Sequence, residues 1–235
     1  MTARDDFAAY DELRGPDLDA ARWIPLRLPL PTGGEHIPLD PNSEVAVGDG
    51  ELQVTIPSFS LAHSAKYLMV STHQFELPAE RPATFAVDMA VQNIGGESAD
   101  FRQGMAAFHV FDPAATKRVF AVVGTSTRVF AMHEQVAPSD AGELFYHVVE
   151  SPYEDFDDDF TRLRAGEITL DRGGSIAVWR VDGHQVYEAH TLIPERTVIG
   201  FGIWTMLPER DDRAAAGQGL SARWRRFRVS DVGVP

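Results

Sequence analysis

The sequence feature that most constrains the fold is the stretch from Ser175 to Thr205, SIAVWRVDGHQVYEAHTLIPERTVIGFGIWT. It is typical of a strand, a two-residue turn at Asp182-Gly183, a second strand, a loop marked by proline, and a third strand. An Asp-Gly pair between two β-rich runs is a strong hairpin signal, because a type I′ turn needs positive φ at both central residues. The stretch therefore predicts antiparallel β structure, and we expect Gly183→Val to harm folding before it harms any activity.

The same alternation recurs along the chain. In ELQVTI, Leu52, Val54 and Ile56 fall on one face of a strand and the polar residues fall on the other. We count roughly a dozen such strands, joined by turns, with no long helix and no internal repeat, and this pattern predicts antiparallel sheets in a sandwich or barrel. Further strands are predicted at Thr84 to Gln92, Arg102 to Phe111, Arg118 to Val123, Thr127 to Val136, Glu143 to Glu150, Glu167 to Leu170 and Leu220 to Val229.

Residues 1–42 have a different character. Asp5 to Leu13 fit a short helical turn or two, and closely spaced prolines then close off any long helix. These prolines are Pro16, Pro25, Pro29, Pro31, Pro38 and Pro41. Because no linker-like tract follows, the sequence predicts one β-sandwich domain over residues 1–235, with 1–42 as an irregular N-terminal segment packed on it.

Composition excludes several classes of protein. The formal net charge of −14 argues against nucleic acid or an anionic membrane as a partner, since both need a basic face. There is no cysteine, so there is neither a disulfide nor a thiolate metal site, and no apolar run is long enough to span a membrane. The first residues contain acids and no apolar core of signal-peptide length, which leads us to expect a cytoplasmic protein. In the last predicted strand, Arg223, Arg225, Arg226 and Arg228 are expected to pair with acidic neighbours.

Several landmarks together resemble the concanavalin A-like lectin/glucanase superfamily. Phe7 to Trp23 is similar to its aromatic opening, and Val45 to Val54 resembles its first core strand. Val178 to Tyr187 resembles the late hairpin of laminarinase-type glycoside hydrolases, and Ile199 to Trp204 and Trp224 to Val229 resemble the closing strands. The resemblance implies an all-β fold, a jelly-roll sandwich of two curved antiparallel sheets with little helix, and ligands bound on the concave face.

One departure from that pattern bears on function. Laminarinase-type enzymes carry a Glu-x-Asp-x-x-Glu strand, which places two carboxylates on one face for retaining hydrolysis. No such motif occurs in this sequence. Glu143 and Glu150 are seven residues apart, so on a regular strand they point to opposite faces. Standard retaining glycosidase chemistry is therefore not predicted.

The polar pair of strands between Arg128 and Glu150 is the candidate for acid–base chemistry. A histidine near a carboxylate or a phenol is the usual apparatus of such catalysis, because the imidazole pKa lies near neutrality. The alternative is that these side chains form the outward polar face of an antiparallel sheet. The candidate catalytic residues are His133, Glu134, Tyr146, His147 and Glu150.

Trp204 shares a predicted strand face with Gly200 and Gly202. Two glycines on one face let another backbone or a ligand approach closely, and an aromatic beside them offers a stacking surface for a sugar or an apolar ring. The alternative for Trp204 is core packing. The candidate ligand-binding residues are Trp204, His73, His109, Arg128 and Tyr153. His73 and His109 are assigned to core strands, where a histidine is usually a hydrogen-bonded core residue.

The segment PYEDFDDDF, residues 152–160, is the only candidate metal site. Asp155, Asp157 and Asp159 supply hard oxygen ligands of the kind that calcium prefers, but the segment lacks the glycine and terminal glutamate of an EF-hand loop, and a solvated acidic loop is the favoured explanation. No spacing typical of a transition-metal site occurs, and no cofactor is expected.

Two functional hypotheses follow, and a purely structural or assembly role through an exposed sheet is a third alternative. The first is a cofactor-free acid–base enzyme of the lyase, isomerase, cyclase or hydrolase type, working in the concave groove on a sugar-like or largely apolar small molecule. The second is a non-catalytic, lectin-like module that binds a carbohydrate-like ligand.

Overall fold

The computed structural model of the chain describes residues 7–30, 33–61, 63–112, 116–136, 143–152, 159–206 and 217–233. Within these ranges the chain forms eighteen β-strands and no helix. The same ranges contain no helix able to cross a membrane. The strands are β1 (Ala8–Asp11), β2 (Trp23–Pro25), β3 (Leu28–Pro29), β4 (Glu35–His36), β5 (Glu44–Gly48), β6 (Glu51–Ile56), β7 (Ala65–Ser71), β8 (Phe75–Glu76), β9 (Ala83–Ile94), β10 (Met105–Phe111), β11 (Arg118–Gly124), β12 (Val129–Gln135), β13 (Phe145–Glu150), β14 (Arg164–Asp171), β15 (Ile176–Val181), β16 (His184–His190), β17 (Arg196–Trp204) and β18 (Gly219–Ser230).

Two large antiparallel sheets carry the architecture. Sheet 1 has the order β16-β15-β14-β9-β18-β6-β5, and β1 pairs with β18 where β6 ends. Sheet 2 has the order β13-β12-β11-β10-β17-β7-β2, and β8 pairs with β17. The two sheets pack face to face as a sandwich, which confirms the predicted fold class.

The local signals explain individual elements. In β6 the side chains alternate between buried and partly buried, as the period-2 pattern predicts. At the β15–β16 turn, Asp182 has φ 49° and Gly183 has φ 80°, and Val181 pairs with His184 across it. These angles are those of a type I′ turn, so the hairpin prediction is confirmed.

The N-terminal segment holds more regular structure than its prolines indicate. Where a helical turn is expected, Ala8–Asp11 forms strand β1, because Tyr10 is fully buried and Ala8 pairs with Val229 of β18. Strand β2 adds to the edge of sheet 2 beside β7. The helical expectation is therefore wrong, and this segment supplies strands to both sheets.

The core lies between the sheets and is rich in aromatic rings. Trp23, Trp179 and Trp224 are each at most 1% exposed, which confirms their prediction as core residues. Phe201 of sheet 2 packs against Phe227 of sheet 1, with ring centroids 5.5 Å apart.

The face of sheet 1 that points away from sheet 2 is polar. Arg223 and Arg225 both pair with Glu51, at 2.6 and 2.7 Å, and Arg226 and Arg228 both pair with the buried Asp88. The predicted pairing of these arginines with acidic neighbours is confirmed. The positive charges of these four arginines are therefore paired with carboxylates of the same sheet.

Candidate functional site

The face of sheet 2 that points away from sheet 1, which we call the outer face, carries the candidate site. Side chains on β10, β11, β12 and β17 alternate between the core and this face. The outer face holds a second apolar cluster, separate from the core, and ten buried side chains form it. They are Val70, Met105, Ala107, Phe111, Val119, Ala121, Val123, Phe130, Met132 and Val198.

A carboxyl group and a phenol lie opposite each other at one side of this apolar cluster. Glu134 of β12 is the cross-strand partner of Tyr146 of β13, and such partners have Cβ atoms about 5 Å apart. Within the described residues, the Glu134 carboxyl makes neither a hydrogen bond nor an ion pair. Burial raises the pKa of Glu134 to about 7. Burial, together with the neighbouring Glu134 charge, also raises the pKa of the Tyr146 phenol.

Glu150 is the second carboxyl on the outer face, but it is far from Glu134 and already paired. It stands opposite Phe130, four residues along β12 from Glu134, which corresponds to about 13 Å along the strand. Glycosidases that use two carboxylates hold them about 5–9.5 Å apart. Glu150 also forms a 2.9 Å ion pair with Arg128. The outer face therefore does not offer the carboxylate pair of a standard glycosidase from these two residues.

Trp204 of β17 and His109 of β10 form a fixed pair on the outer face. The Trp204 indole Nε1–H donates a hydrogen bond to His109 Nε2 at 3.1 Å, and the two rings meet edge to face at 5.7 Å. Burial lowers the pKa of His109 to about 3, so it stays neutral and accepts this bond through Nε2. A neutral imidazole that accepts at Nε2 carries its proton on Nδ1.

The small residues of the face explain how the indole reaches His109. Trp204 is in register with Met105, four residues from His109, so its side chain must pass over Ala107 and Gly202. Neither position has a side chain larger than a methyl group. At Gly202 a Cβ atom would also lie 2.4 Å from the carbonyl oxygen of Tyr67 in β7. Of the two predicted uses of these glycines, close approach of a backbone is the one observed.

The two candidate catalytic histidines lie elsewhere. His133 and His147 are cross-strand partners, but their side chains point to the core side of sheet 2, opposite to Glu134 and Tyr146. His133 is 3% exposed and stacks on the core residue Phe120. The five residues predicted as one catalytic group are therefore split between two faces.

The remaining predicted residues are dispersed. His73 lies in the bend between β7 and β8 and not on a core strand, because the chain turns there, and its Nε2 contacts the carbonyl oxygen of Gly233 at 3.2 Å. Asp159 accepts hydrogen bonds from the backbone and hydroxyl of Thr161. Tyr153, Asp155 and Asp157 lie outside the described residues. In the part of the chain that the structure describes, no three acidic or histidine side chains converge as metal ligands would.

Sequence reasoning missed Arg118 and Thr191, which lie beside His133. Arg118 Nη1 donates to Thr191 Oγ1 at 2.5 Å, and the same oxygen is 3.2 Å from His133 Nε2. The available signal was the alternation of β11, which puts Arg118 on the same face as the core residues Phe120 and Val122. An arginine on an otherwise apolar strand face needs polar partners inside the protein.

Comparison with solved structures places the fold among jelly-roll glycan enzymes. An endo-1,3-β-glucanase from Streptomyces sioyaensis matches over 100% of both chains at 14% identity, with a TM-score of 0.62. Porphyranase B from Zobellia galactanivorans matches at 10% identity over 97% of this chain and 95% of its own, with a TM-score of 0.60. The Bacillus licheniformis β-glucanase matches at 13% identity over 98% and 100%, with a TM-score of 0.59. The chain thus has the concanavalin A-like jelly-roll fold.

The sequence comparison identifies the family. Residues 4–232 match the family described as "Family of unknown function (DUF6081)", and the chain belongs to it. No curated protein matches the sequence.

Proposed function

We propose that this protein is a cofactor-free acid–base enzyme whose central group is Glu134, acting on a sugar-like or largely apolar molecule at the outer face of sheet 2. The observation that carries the proposal is the Glu134 carboxyl itself, which is partly buried on an apolar face without a hydrogen bond or ion pair among the described residues. Folding leaves a carboxyl in such a place only at a cost in stability. Carboxyls with a pKa near neutrality are typical of catalytic acids and bases.

The neighbouring phenol gives the carboxyl a partner of complementary chemistry. Glu134 is part carboxylate and part carboxylic acid near pH 7, so it can accept a proton and return it. Tyr146 stays protonated because its pKa is raised, so it donates a hydrogen bond or a proton to an oxygen of the substrate. One carboxyl with one phenol supports proton transfer in elimination or isomerisation better than hydrolysis by two carboxylates.

In an elimination, the proposed steps balance as follows. The Glu134 carboxylate removes a proton from a carbon that a neighbouring carbonyl or carboxyl group of the substrate acidifies, the electron pair forms a carbon–carbon double bond, and the carbon–oxygen bond on the next carbon breaks. Tyr146 protonates the leaving oxygen and is reprotonated from solvent, to which Glu134 returns its proton. In an isomerisation, Glu134 returns the proton to a second carbon and no bond to oxygen breaks.

The proposed substrate class rests on two supports. The fold is shared with two β-glucanases, a porphyranase and an alginate lyase. The apolar cluster and the Trp204 ring suit the face of an uncharged ring, and the Arg128 charge is already taken by Glu150.

The test uses Glu134→Gln and Tyr146→Phe on the full chain, with a panel of β-1,3-glucan, β-1,3-1,4-glucan, porphyran and alginate oligosaccharides. Mass spectrometry separates the reaction classes, because hydrolysis adds the mass of one water to the products and elimination adds none. We expect Glu134→Gln to abolish turnover, Tyr146→Phe to reduce it strongly, and Glu143→Gln, at an exposed carboxyl of the same hairpin, to leave it unchanged. A fully active Glu134→Gln variant would refute the proposal.

The Trp204–His109 pair favours a second candidate, a lectin-like binding module. The indole is fixed by its hydrogen bond and only partly buried, as a stacking platform for a sugar ring requires. A binding module gains thermal stability from its glycan by mass action. It would keep that gain in Glu134→Gln, lose it in Trp204→Ala, and turn over no member of the panel.

A further inference from the structure

A second group of polar side chains lies between the two sheets, at the open edge where β12 and β13 face β16. We call it the inter-sheet cluster, and it is independent of the outer face. Its members come from both sheets and from the loop after β16. They are Arg118, His133, Phe145, His147, Trp179 and Thr191.

Aromatic rings enclose His133 on several sides. It stacks on Phe120 with centroids 5.2 Å apart and planes within 13°, and it meets the edge of Phe145 at 4.7 Å. The Trp179 ring, from sheet 1, is 5.6 Å away. Phe145 is partly exposed and His147 is exposed, so these two residues form the rim of the cluster on the solvent side.

The hydrogen bonds of the cluster define which nitrogen of His133 carries its proton. Burial, with smaller effects of the Arg118 and His147 charges, lowers the pKa of His133 to about 4, so the ring is neutral at pH 7. Thr191 Oγ1 accepts from Arg118 Nη1 at 2.5 Å, which leaves the single Thr191 hydroxyl proton to point at His133 Nε2, 3.2 Å away. A proton on Nε2 would face this hydroxyl and leave both the hydroxyl proton and Nδ1 without partners. The proton therefore belongs on Nδ1.

Two buried N–H donors then lack an acceptor. His133 Nδ1 is buried with no hydrogen-bond partner, and so is Nε1 of Trp179, a residue with 0% exposure. An unsatisfied buried donor costs about 1–3 kcal/mol, and native proteins leave few of them without a ligand or an ordered water. Both donors belong to neighbouring rings, and the Arg118 guanidinium lies 4.9 Å from the adjacent Phe145 ring.

We propose that the inter-sheet cluster binds a small carboxylate, with its oxygens accepting from His133 Nδ1–H and Trp179 Nε1–H. The two N–H groups require a ligand that accepts hydrogen bonds, and a carboxylate has acceptors and no donor. The nearby Arg118 guanidinium stabilises its negative charge. The rings are in contact, with centroids 4.7–5.9 Å apart, so we restrict the proposal to carboxylates of one or two carbons, formate and acetate. The entry route runs past His147 and Phe145 at the rim.

Proton–nitrogen correlation spectra of the full chain test this directly. The sequence contains four tryptophans, so four indole N–H signals are expected. Sodium acetate or formate is titrated at pH 7 against sodium chloride of equal ionic strength. We expect one indole signal, assigned to Trp179 by its contacts to His133 and Tyr187, to shift saturably with the carboxylates and not with chloride.

Variants separate binding from a change of fold. Thr191→Val removes the hydroxyl that fixes the His133 tautomer and keeps the side-chain shape, so we expect carboxylate affinity to fall about tenfold, the equivalent of one lost hydrogen bond. The nitrogen shifts of His133 should change from the Nδ1–H pattern to a mixture of tautomers. His73→Gln, at a bend far from the cluster, should change neither quantity.

Two outcomes would overturn the proposal. The first is the absence of a saturable shift of the Trp179 signal at acetate concentrations well beyond the millimolar range. The second is a magnetisation transfer from a bound water to both N–H protons that acetate does not alter, which would assign the two donors to an internal water only.

Discussion

At the scale of single residues, Glu134 is a group whose placement on an apolar face lowers the stability of the fold. A partly buried carboxyl on an apolar face loses part of its hydration, and no hydrogen bond among the described residues replaces it. Its folded pKa of about 7 lies above the ordinary value of 4.5, so the folded state binds this proton more tightly than the unfolded state. Stability is therefore retained while Glu134 is protonated and is lost as pH rises from the unfolded value through about 7.

The first prediction concerns stability and needs no substrate. At pH 8, Glu134→Gln should raise the free energy of unfolding by at most about 3 kcal/mol, because each unit of pKa shift is worth about 1.4 kcal/mol. At pH 4, where the carboxyl is largely neutral in both states, the variant should gain little. Urea unfolding at the two pH values measures the difference, with Glu143→Gln as the exposed control. Equal effects of Glu134→Gln at both values would contradict the proposed burial.

Alternation in the sequence shows which residues of a strand share a face, but it could not predict where the faces point. On β12, Ala131 and His133 share one face and Met132 and Glu134 share the other. Both faces are apolar enough to be buried, and both are. Alternation alone therefore does not say which set meets sheet 1. For that reason His133 and Glu134 could be singled out as chemical groups but not assigned to separate sites.

At the scale of secondary-structure elements, two glycines are required for different reasons, one in a turn and one in a strand. Gly183 has φ 80° and open space around the position of a Cβ atom, so only its backbone angle is special. Gly202 has an ordinary backbone, but a Cβ atom there would meet the Tyr67 carbonyl oxygen at 2.4 Å. The Asp-Gly signal revealed the first. No local pattern reveals the requirement for glycine at position 202, because the contact it makes is with Tyr67 of β7, more than a hundred residues away in sequence.

The second prediction compares these two glycines. Gly183→Val should lower the free energy of unfolding by about 1–2 kcal/mol, because a branched residue is strained in the left-handed region. Gly183→Asn should lower it much less. Gly202→Ala should cost more than Gly183→Val, because β7 must move away from β17 to admit the methyl group. Urea unfolding ranks the three variants. A Gly202→Ala variant as stable as the unchanged protein would show that the two strands are not this close.

At the scale of the whole molecule, the N-terminal segment joins the two sheets. Trp23 of β2, in sheet 2, donates its indole N–H to Asp11 of β1, in sheet 1, at 2.7 Å. Its ring contacts Phe201 of sheet 2 and Phe227 of sheet 1, each with centroids 4.9 Å apart. The prolines of this segment predicted that it holds no long helix, but the expectation of a helical turn between Asp5 and Leu13 was wrong. The long-range pairing of Trp23 with Asp11 depends on tertiary contacts that no local pattern encodes.

The third prediction tests whether the N-terminal segment holds the two sheets together. Removal of residues 1–25 deletes Tyr10, Leu13 and Trp23 from the core, so the shortened chain should lose its cooperative thermal transition. Trp23→Phe keeps most of the ring packing and leaves Asp11 without the indole donor, so it should cost about 1–3 kcal/mol and keep the fold. Calorimetry distinguishes the two results. A shortened chain that melts cooperatively near the temperature of the full chain would contradict the role given to this segment.

The position of β18 also governs the order in which the molecule can assemble. This strand lies between β9 and β6 in sheet 1, although more than a hundred residues separate it from either of them in sequence. During synthesis, β6 and β9 therefore leave the ribosome with facing edges unpaired, and they stay so until residues 219–230 emerge. Unpaired edges of apolar strands are the sites where nascent chains associate, and pairing over such distances folds slowly. Two strand edges inside sheet 1 therefore stay open to other chains until the last strand of the protein is made.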